Sequence, residues 1–310
     1  MVEIQDIFLK NVLKRIENIV LITGFAGAGK STFIIRLANE LLKNDYKIYF
    51  FDTEGQLSLE RQKLFINPEK IIIKKSIFFE DLIDEFFKIT NKLDANEKIA
   101  FIWDSVAGTS LKSEFEIIVK EGINEFSSTG IAFMSRLLSL SLRNISPIIT
   151  KQQIPFIITN QYRQKINLNP YSGIPASYYG EKGNMPGGEA LKHFSSSIIE
   201  LTRKEQDDDG IWVKIRLLKS KIQPPTEIEY FLNYSLGFDE NYNLFKYAIK
   251  KKLIKQSGGW YEWNDKKYRH DDLLIHIFKS DKELEKLRKL VEENYQPEIE
   301  NLPDVLIVKE

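Results

Sequence analysis

The stretch GFAGAGKS, Gly24 to Ser31, carries the clearest chemistry in the chain. It fits the pattern GxxxxGK[ST] in full, after an apolar run and before a helical pattern, the context a phosphate-binding P-loop needs. Gly24, Gly27 and Gly29 let backbone amides turn inward toward phosphate oxygens, and the N-terminus of the following helix adds partial positive charge. Lys30 is spaced to reach β and γ phosphates and Ser31 to ligate Mg²⁺, with Thr32 next in the same contact. In AFIWDS, Asp104 ends an apolar strand, where a Walker-B carboxylate holds magnesium through water. In YFFDTEG, Glu54 and Asp52 both stand near a strand end, and either carboxylate can accept a proton from an attacking water. The cofactors expected are ATP and Mg²⁺.

These groups need elements to hold them. Asn18–Thr23, Lys47–Asp52, Lys70–Ile73, Ile99–Asp104 and Pro155–Asn160 read as short apolar strands. Between them, helices are expected over Lys30–Leu42, Asp81–Leu93 and Ile131–Ile149. Apolar strands alternating with helices argue an α/β fold with a mainly parallel sheet covered on both faces. Ile4, Ile7, Phe8, Val12 and Ile16 recur at helical spacing, which predicts a short helix over residues 3–17. After a short helix at Gly187–Ser196, three strands follow with no helix between them: Ile198–Arg203, Trp212–Lys219 and Ile228–Tyr234. The acidic run Asp207–Asp209 with Gly210 reads as a hairpin turn. A small module then begins, with helices at Tyr242–Ile254, Asp271–Phe278 and Lys282–Glu293 and a hairpin through GGWYEW and KKYR. The organisation expected is a terminal helix over 1–17, a core over 18–238, a small α/β C-terminal domain over 239–295, and a loosely held acidic tail over 296–310.

The bulk numbers exclude several classes. Lys+Arg and Asp+Glu are both 44, so nucleic-acid binding must come from local clusters rather than a chain-wide basic field. There is no cysteine, hence no disulfide or thiolate metal site, and His193, His270 and His276 are too scattered for zinc. No apolar run is long enough to span a bilayer and the N-terminus lacks a signal peptide's apolar core, so a cytoplasmic protein is expected, or one in a host cytoplasm if the source is viral. From Arg163 to Met185 periodicity disappears into Gly, Pro, Asn, Ser and Tyr. Aperiodic stretches this long are usually functional or disordered; from residues alone, a lid or a disordered insert competes with a binding loop.

In order, GFAGAGKST, FFDTEG, FIWDSVAG, FIITNQYRQKI, GGEALKHFSSSIIEL and IRLLKSKIQPP resemble the RecA family of DNA strand-exchange recombinases, nearest its bacterial RecA and phage UvsX branch. The stretch from GFDENYNLFKYAIKKKLI through GGWYEW is similar to that family's small C-terminal domain, so the likeness runs from about Asn18 to about Tyr295. The resemblance implies a RecA-like P-loop ATPase core that forms a filament on single-stranded DNA and exchanges strands with a homologous duplex. It makes Glu54 the catalytic glutamate and Gln161 the residue that senses the γ-phosphate. Lys219 and Lys221, by themselves two solvated lysines at a strand end, become the pair that reaches the neighbouring subunit's ATP. Ser58 and Arg61 stand where the family carries an Asp and a Tyr in its adenine-contact region, and His193 replaces a Phe beside Lys192.

The resemblance also implies two DNA-holding loops, one around Lys120–Gly130 and one from Arg163 to Met185. Arg163, Lys165, Lys182 and Lys192 would meet phosphates, Gly187 and Gly188 would offer backbone amides, and Tyr171, Tyr178 and Tyr179 would stack on bases. Partners implied are single- and double-stranded DNA, further copies of the chain, and mediator or single-strand-binding proteins, with no membrane. The family's longer N-terminal helix docks on the next subunit; here only about twenty residues precede Thr23. Two other readings share the core: a ring helicase, against which GGWYEW and KSK speak, and a mediator that binds ATP and a recombinase without exchanging strands.

Overall fold

The computed structural model describes residues 2–75, 78–94, 96–121, 129–164, 183–185, 187 and 189–295. In chain order the elements are β1 (Val2–Glu3), β2 (Arg15–Ile16), β3 (Ile19–Thr23), α1 (Lys30–Lys43), β4 (Lys47–Asp52), α2 (Leu59–Gln62), β5 (Ile71–Lys74) and α3 (Phe79–Thr90). Next come β6 (Ile99–Asp104), α4 (Lys112–Glu121), α5 (Thr129–Gln152), β7 (Phe156–Thr159), β8 (Arg163–Gln164), β9 (Gly183–Asn184) and α6 (Glu189–Phe194). The rest are β10 (Ser197–Asp207), β11 (Gly210–Ser220), β12 (Glu227–Asn233), α7 (Glu240–Lys250), β13 (Lys255–Ser257), β14 (Trp260–Trp263), β15 (Lys266–Tyr268), α8 (His270–Phe278) and α9 (Asp281–Asn294).

Eight strands form one sheet in the order β12-β11-β10-β3-β7-β6-β4-β5. From β10 to β5 every pairing is parallel, whereas β10-β11-β12 is an antiparallel meander at one edge. Two apolar clusters cover its faces. One gathers α3, α5 and α6 around Trp103, Phe101 and Phe156. The other gathers α1 with the N-terminal segment, and runs without a break into Leu244, Phe245, Trp263, Leu273 and Leu287 of the C-terminal module. Strands IVLIT and IAFIWD, buried on both faces, therefore read as continuous apolar runs.

The N-terminal segment departs from expectation. It is not an α-helix: β1 and β2 pair antiparallel around a single 3₁₀ turn at Leu9–Asn11. Asp6 explains the difference, because its Oδ1 accepts the amides of Phe8 and Leu9 and closes a tight turn instead of a continuing helix. Its Oδ2 accepts Arg36 Nη2 at 3.1 Å and the Tyr230 hydroxyl at 2.7 Å. Arg36 also pairs with Glu40, one turn along α1. Ile4, Ile7, Phe8, Leu9, Val12, Leu13 and Ile16 are all buried in this chain's own core, so the apolar face is used in cis. Phe8 makes edge contacts with Tyr230, Tyr247 and Tyr295, which ties the segment to both the sheet and the C-terminal module. The C-terminal hairpin expected through GGWYEW and KKYR is β14-β15, extended by β13 into a three-stranded sheet.

Candidate functional site

Three adjacent strands deliver the chemistry. β3 leads into the glycine turn, β6 ends at Asp104, and β7 between them leads to Asn160 and Gln161. Gly24 adopts φ +148°, and a Cβ there would stand 2.3 Å from the Leu201 carbonyl oxygen of β10, so the turn needs glycine for both torsion and space. Gly29 adopts φ +87° at the start of α1. Lys30 folds back over the turn, its Nζ donating to the carbonyls of Gly24 (3.0 Å) and Phe25 (2.8 Å). Burial pushes its amine down from the usual lysine range, against the pull of Asp104 and Glu54.

Asp104 is buried, and burial pushes its carboxyl up, while hydrogen bonds from Thr159 and Ser31 pull it down. The oxygen-only pair Ser31 and Asp104, beside a glycine-walled turn, fits a hard cation that keeps waters and shares phosphate oxygens. Among the described residues no group of three or more His, Cys, Asp or Glu could cage a metal unaided.

Geometry separates the two acidic candidates of YFFDTEG. Asp52 is buried and accepts the amides of Gln56 (3.0 Å) and Leu57 (3.1 Å), so its carboxylate is spent on the turn. Glu54 faces a cavity of about 400 Å³ that Lys30, Ser31, Asp104 and Gln161 also line. Glu54 Oε1 accepts the Ser105 hydroxyl and, at 3.0 Å, Gln161 Nε2. This last bond joins the cavity to the stretch that follows β7.

Thr32 and Arg61 complete the wall on the other side, Arg61 Nη2 donating to Thr32 Oγ1 at 3.1 Å and Nη1 to the Gln56 carbonyl at 3.3 Å. Ser58 lies outside the lining; its hydroxyl caps α2 by accepting the Arg61 amide. The lining also includes Gln56, Arg203, Ile211, Leu232 and Tyr234, which motif reading missed. Gln56 follows FFDTEG directly; no local signal marks the other four, which the β10-β11-β12 meander brings to the P-loop only once the sheet is assembled.

Lys219 and Lys221 stand outside this cavity. Lys219 Nζ donates to the carbonyls of Lys192 (2.6 Å) and His193 (3.2 Å) at the C-terminal end of α6. Burial, then the charge of Lys221, holds the Lys219 amine below its usual range. Lys192 is buried and ion-paired with Glu189 at 3.1 Å. Gly187 adopts φ +84° and packs so tightly that a Cβ would meet Leu138 Cδ2 at 2.5 Å. Arg163 lies in β8, opposite Asn184 of β9. Lys165, Tyr171, Tyr178, Tyr179, Lys182 and Gly188 lie outside the described residues, as do 122–128 of the first expected loop and the tail 296–310.

The sequence matches the RecA N-terminal domain over residues 14–239. The chain belongs to the RecA family. It is 29% identical over 256 residues to Protein RecA of Ureaplasma parvum serovar 3, covering 79% of this chain and 70% of that one. Protein RecA of Staphylococcus epidermidis is 28% identical over 255 residues, covering 79% and 67%. Protein RecA of Enterococcus mundtii is 27% identical over 255 residues, covering 80% and 68%. The RecA match takes in every residue that lines the cavity, from Ala26 to Tyr234. It stops at residue 239, the N-cap of α7. This is a RecA-type recombination protein, and among its described residues no helix is long and apolar enough to cross a membrane.

Proposed function

We propose that the chain is a DNA-dependent ATPase that assembles as a filament on single-stranded DNA and exchanges that strand with a homologous duplex. The observation that carries this reading is the Gln161–Glu54 hydrogen bond, which links a phosphate-binding cavity to the start of the segment that would hold DNA. Bound Mg²⁺ would neutralise charge on the β and γ oxygens, held by Ser31 and, through water, by Asp104. The P-loop amides and Lys30 hold the triphosphate. Glu54 accepts the proton of the attacking water. Gln161, bonded to Glu54, reports the state of that carboxylate to β8 and the residues after it. A filled site then favours the arrangement of the segment that binds DNA, and hydrolysis releases it.

Self-association is supported by two features. Lys219 and Lys221 lie outside this chain's own cavity, as lysines that serve a neighbour's phosphates would. Phe115, Ile118 and Val119 expose an apolar face on α4. DNA contact by Arg163, Lys165, Tyr171, Tyr178, Tyr179, Lys182, Gly187, Gly188 and Lys192 rests on the family likeness. The test is steady-state ATP hydrolysis with and without single-stranded DNA. The wild-type chain should be stimulated by DNA, Lys30→Ala inactive, and Glu54→Gln slower by about 10²–10⁴-fold with nucleotide binding retained. DNA-stimulated turnover in Lys30→Ala would sink the assignment.

A further inference from the structure

The chain departs toward the expected DNA segment and returns from it at one place, against the P-loop turn. The ladder between β7 and β3 continues past the end of β7: the Asn160 amide donates to the Ile22 carbonyl at 2.9 Å, and the Tyr162 amide to the Gly24 carbonyl at 3.3 Å. The Tyr162 ring then meets the Phe25 ring edge-on, with centroids 5.5 Å apart. On the return side, Met185 Sδ accepts the Thr23 hydroxyl at 3.5 Å. Between these contacts β8 and β9 pair, Arg163 opposite Asn184 and Gln164 opposite Gly183. Thr23, Gly24 and Phe25 thus hold both sides of a two-stranded neck.

The same turn is held from the phosphate side. The Gly24 carbonyl accepts Lys30 Nζ at 3.0 Å as well as the Tyr162 amide. Phe25 takes Lys30 Nζ on its carbonyl at 2.8 Å and Tyr162 on its ring. Lys30 has three N–H donors, and two of them are used here. A triphosphate oxygen that draws Nζ toward itself therefore alters a carbonyl that the neck also uses. Tyr162 and Met185 are buried in the apolar cluster of Trp103, Leu138 and Leu191, with Phe25 packed against it. Close packing passes a displacement on rather than absorbing it. Neither Phe25, Tyr162 nor Met185 lines the cavity, so these side chains meet the nucleotide site only through the turn.

We infer that Tyr162 is a positioning residue that carries the state of the P-loop turn to the neck of the DNA segment, with Phe25 as its contact on the turn and Met185 holding the return strand. The inference rests on the function proposed above and adds a second route to the Gln161–Glu54 bond. Gln161 follows the carboxylate inside the cavity, whereas Tyr162 follows the turn itself.

The experiment is fluorescence anisotropy of a labelled single-stranded oligonucleotide on the full chain, with Mg²⁺ alone and with Mg²⁺ plus a non-hydrolysable ATP analogue. The variants are Tyr162→Phe, Tyr162→Leu, Phe25→Leu, Gln161→Ala and the Gln161→Ala, Tyr162→Leu double variant. The quantity read is the ratio of the two DNA affinities, alongside the affinity for the analogue without DNA. Tyr162→Leu keeps apolar volume and loses the ring contact, so the ratio should fall about two- to tenfold, the range of an edge-on aromatic pair. Its affinity for the analogue should move less than about twofold. Tyr162→Phe keeps the ring and should match wild type, and the double variant should fall below either single one. Phe25→Leu removes the same ring contact from a half-buried position and should lower the ratio likewise, which keeps the test open if Tyr162→Leu does not fold. A wild-type ratio in Tyr162→Leu or Phe25→Leu, with a reduced one in Gln161→Ala, sinks the inference and leaves the proposed function standing. So does a loss of analogue affinity in Tyr162→Leu as large as the fall in the ratio, since Tyr162 would then merely support the P-loop. If the analogue leaves the DNA affinity of wild type unchanged, the proposed coupling fails and takes the inference with it.

Discussion

Gln161→Ala removes the Nε2 donor that lies 3.0 Å from Glu54 Oε1 and leaves Glu54 its bond from Ser105. A hydrogen bond to a charged group contributes ~1.5–3 kcal/mol. Both side chains line a solvent-open cavity and are only half-buried, so the low end applies, roughly 1.5 kcal/mol or about tenfold in an equilibrium. If that bond carries the coupling, the loss appears in DNA stimulation and not in nucleotide affinity. The assay is hydrolysis at saturating ATP, with and without single-stranded DNA, alongside the nucleotide Kd of each variant. DNA stimulation should fall about tenfold while Kd moves less than about threefold. Adding Glu54→Gln in a double-mutant cycle should expose an interaction of ~1–2 kcal/mol between the two sites. Full stimulation in Gln161→Ala, or strict additivity in the cycle, would refute the reasoning.

Other consequences are open to measurement. Asp6→Ala strips Arg36 and Tyr230 of a shared buried acceptor, and urea unfolding should show a loss of about 3–5 kcal/mol. Glu40 sits in a buried site that would raise its carboxyl, but the charge and hydrogen bond of Arg36, then those of Lys43, bring it below the usual 4.5. A depressed carboxyl adds stability that is present above its unfolded pKa and lost as pH falls below it. Wild type should therefore lose stability below about pH 4.5, and Glu40→Gln should flatten that slope. Lys221→Ala alters an exposed side chain outside the cavity, so it should leave the unfolding midpoint unchanged. If it serves a neighbour's phosphates, DNA-dependent turnover should still drop by about 10³-fold. Unchanged turnover would count against a site shared between subunits.

Local chemistry was readable from the residues, and long-range chemistry was not. The P-loop announces itself because glycine torsions, one lysine and one hydroxyl are all set within eight positions, Gly24 to Ser31. Apolar runs such as IVLIT and IAFIWD mark strands buried on both faces, which argues a parallel sheet; the order β3-β7-β6-β4-β5 is seen only in the structure. The N-terminal segment misled because burial there comes from all sides. Ile4, Ile7, Phe8, Val12 and Ile16 mimic helical spacing, but Leu9 and Leu13 are buried as well. The residue that breaks the helix, Asp6, is held by Arg36 and Tyr230, 30 and 224 positions away. Residue types alone left Glu54 and Asp52 level and the family resemblance favoured Glu54; the physical difference between them, the turn amides of Gln56 and Leu57 on Asp52, is something no composition or spacing records. Tyr234 and Arg203 reach the cavity only through the antiparallel meander, so motif order leaves them unmarked.

The most direct test is electron microscopy of the purified chain on single-stranded DNA, with and without a non-hydrolysable ATP analogue and Mg²⁺. The account predicts extended helical filaments when nucleotide, metal and DNA are all present, and their loss in Lys30→Ala. Closed rings, or no ordered assembly with wild-type chain under those conditions, would contradict it.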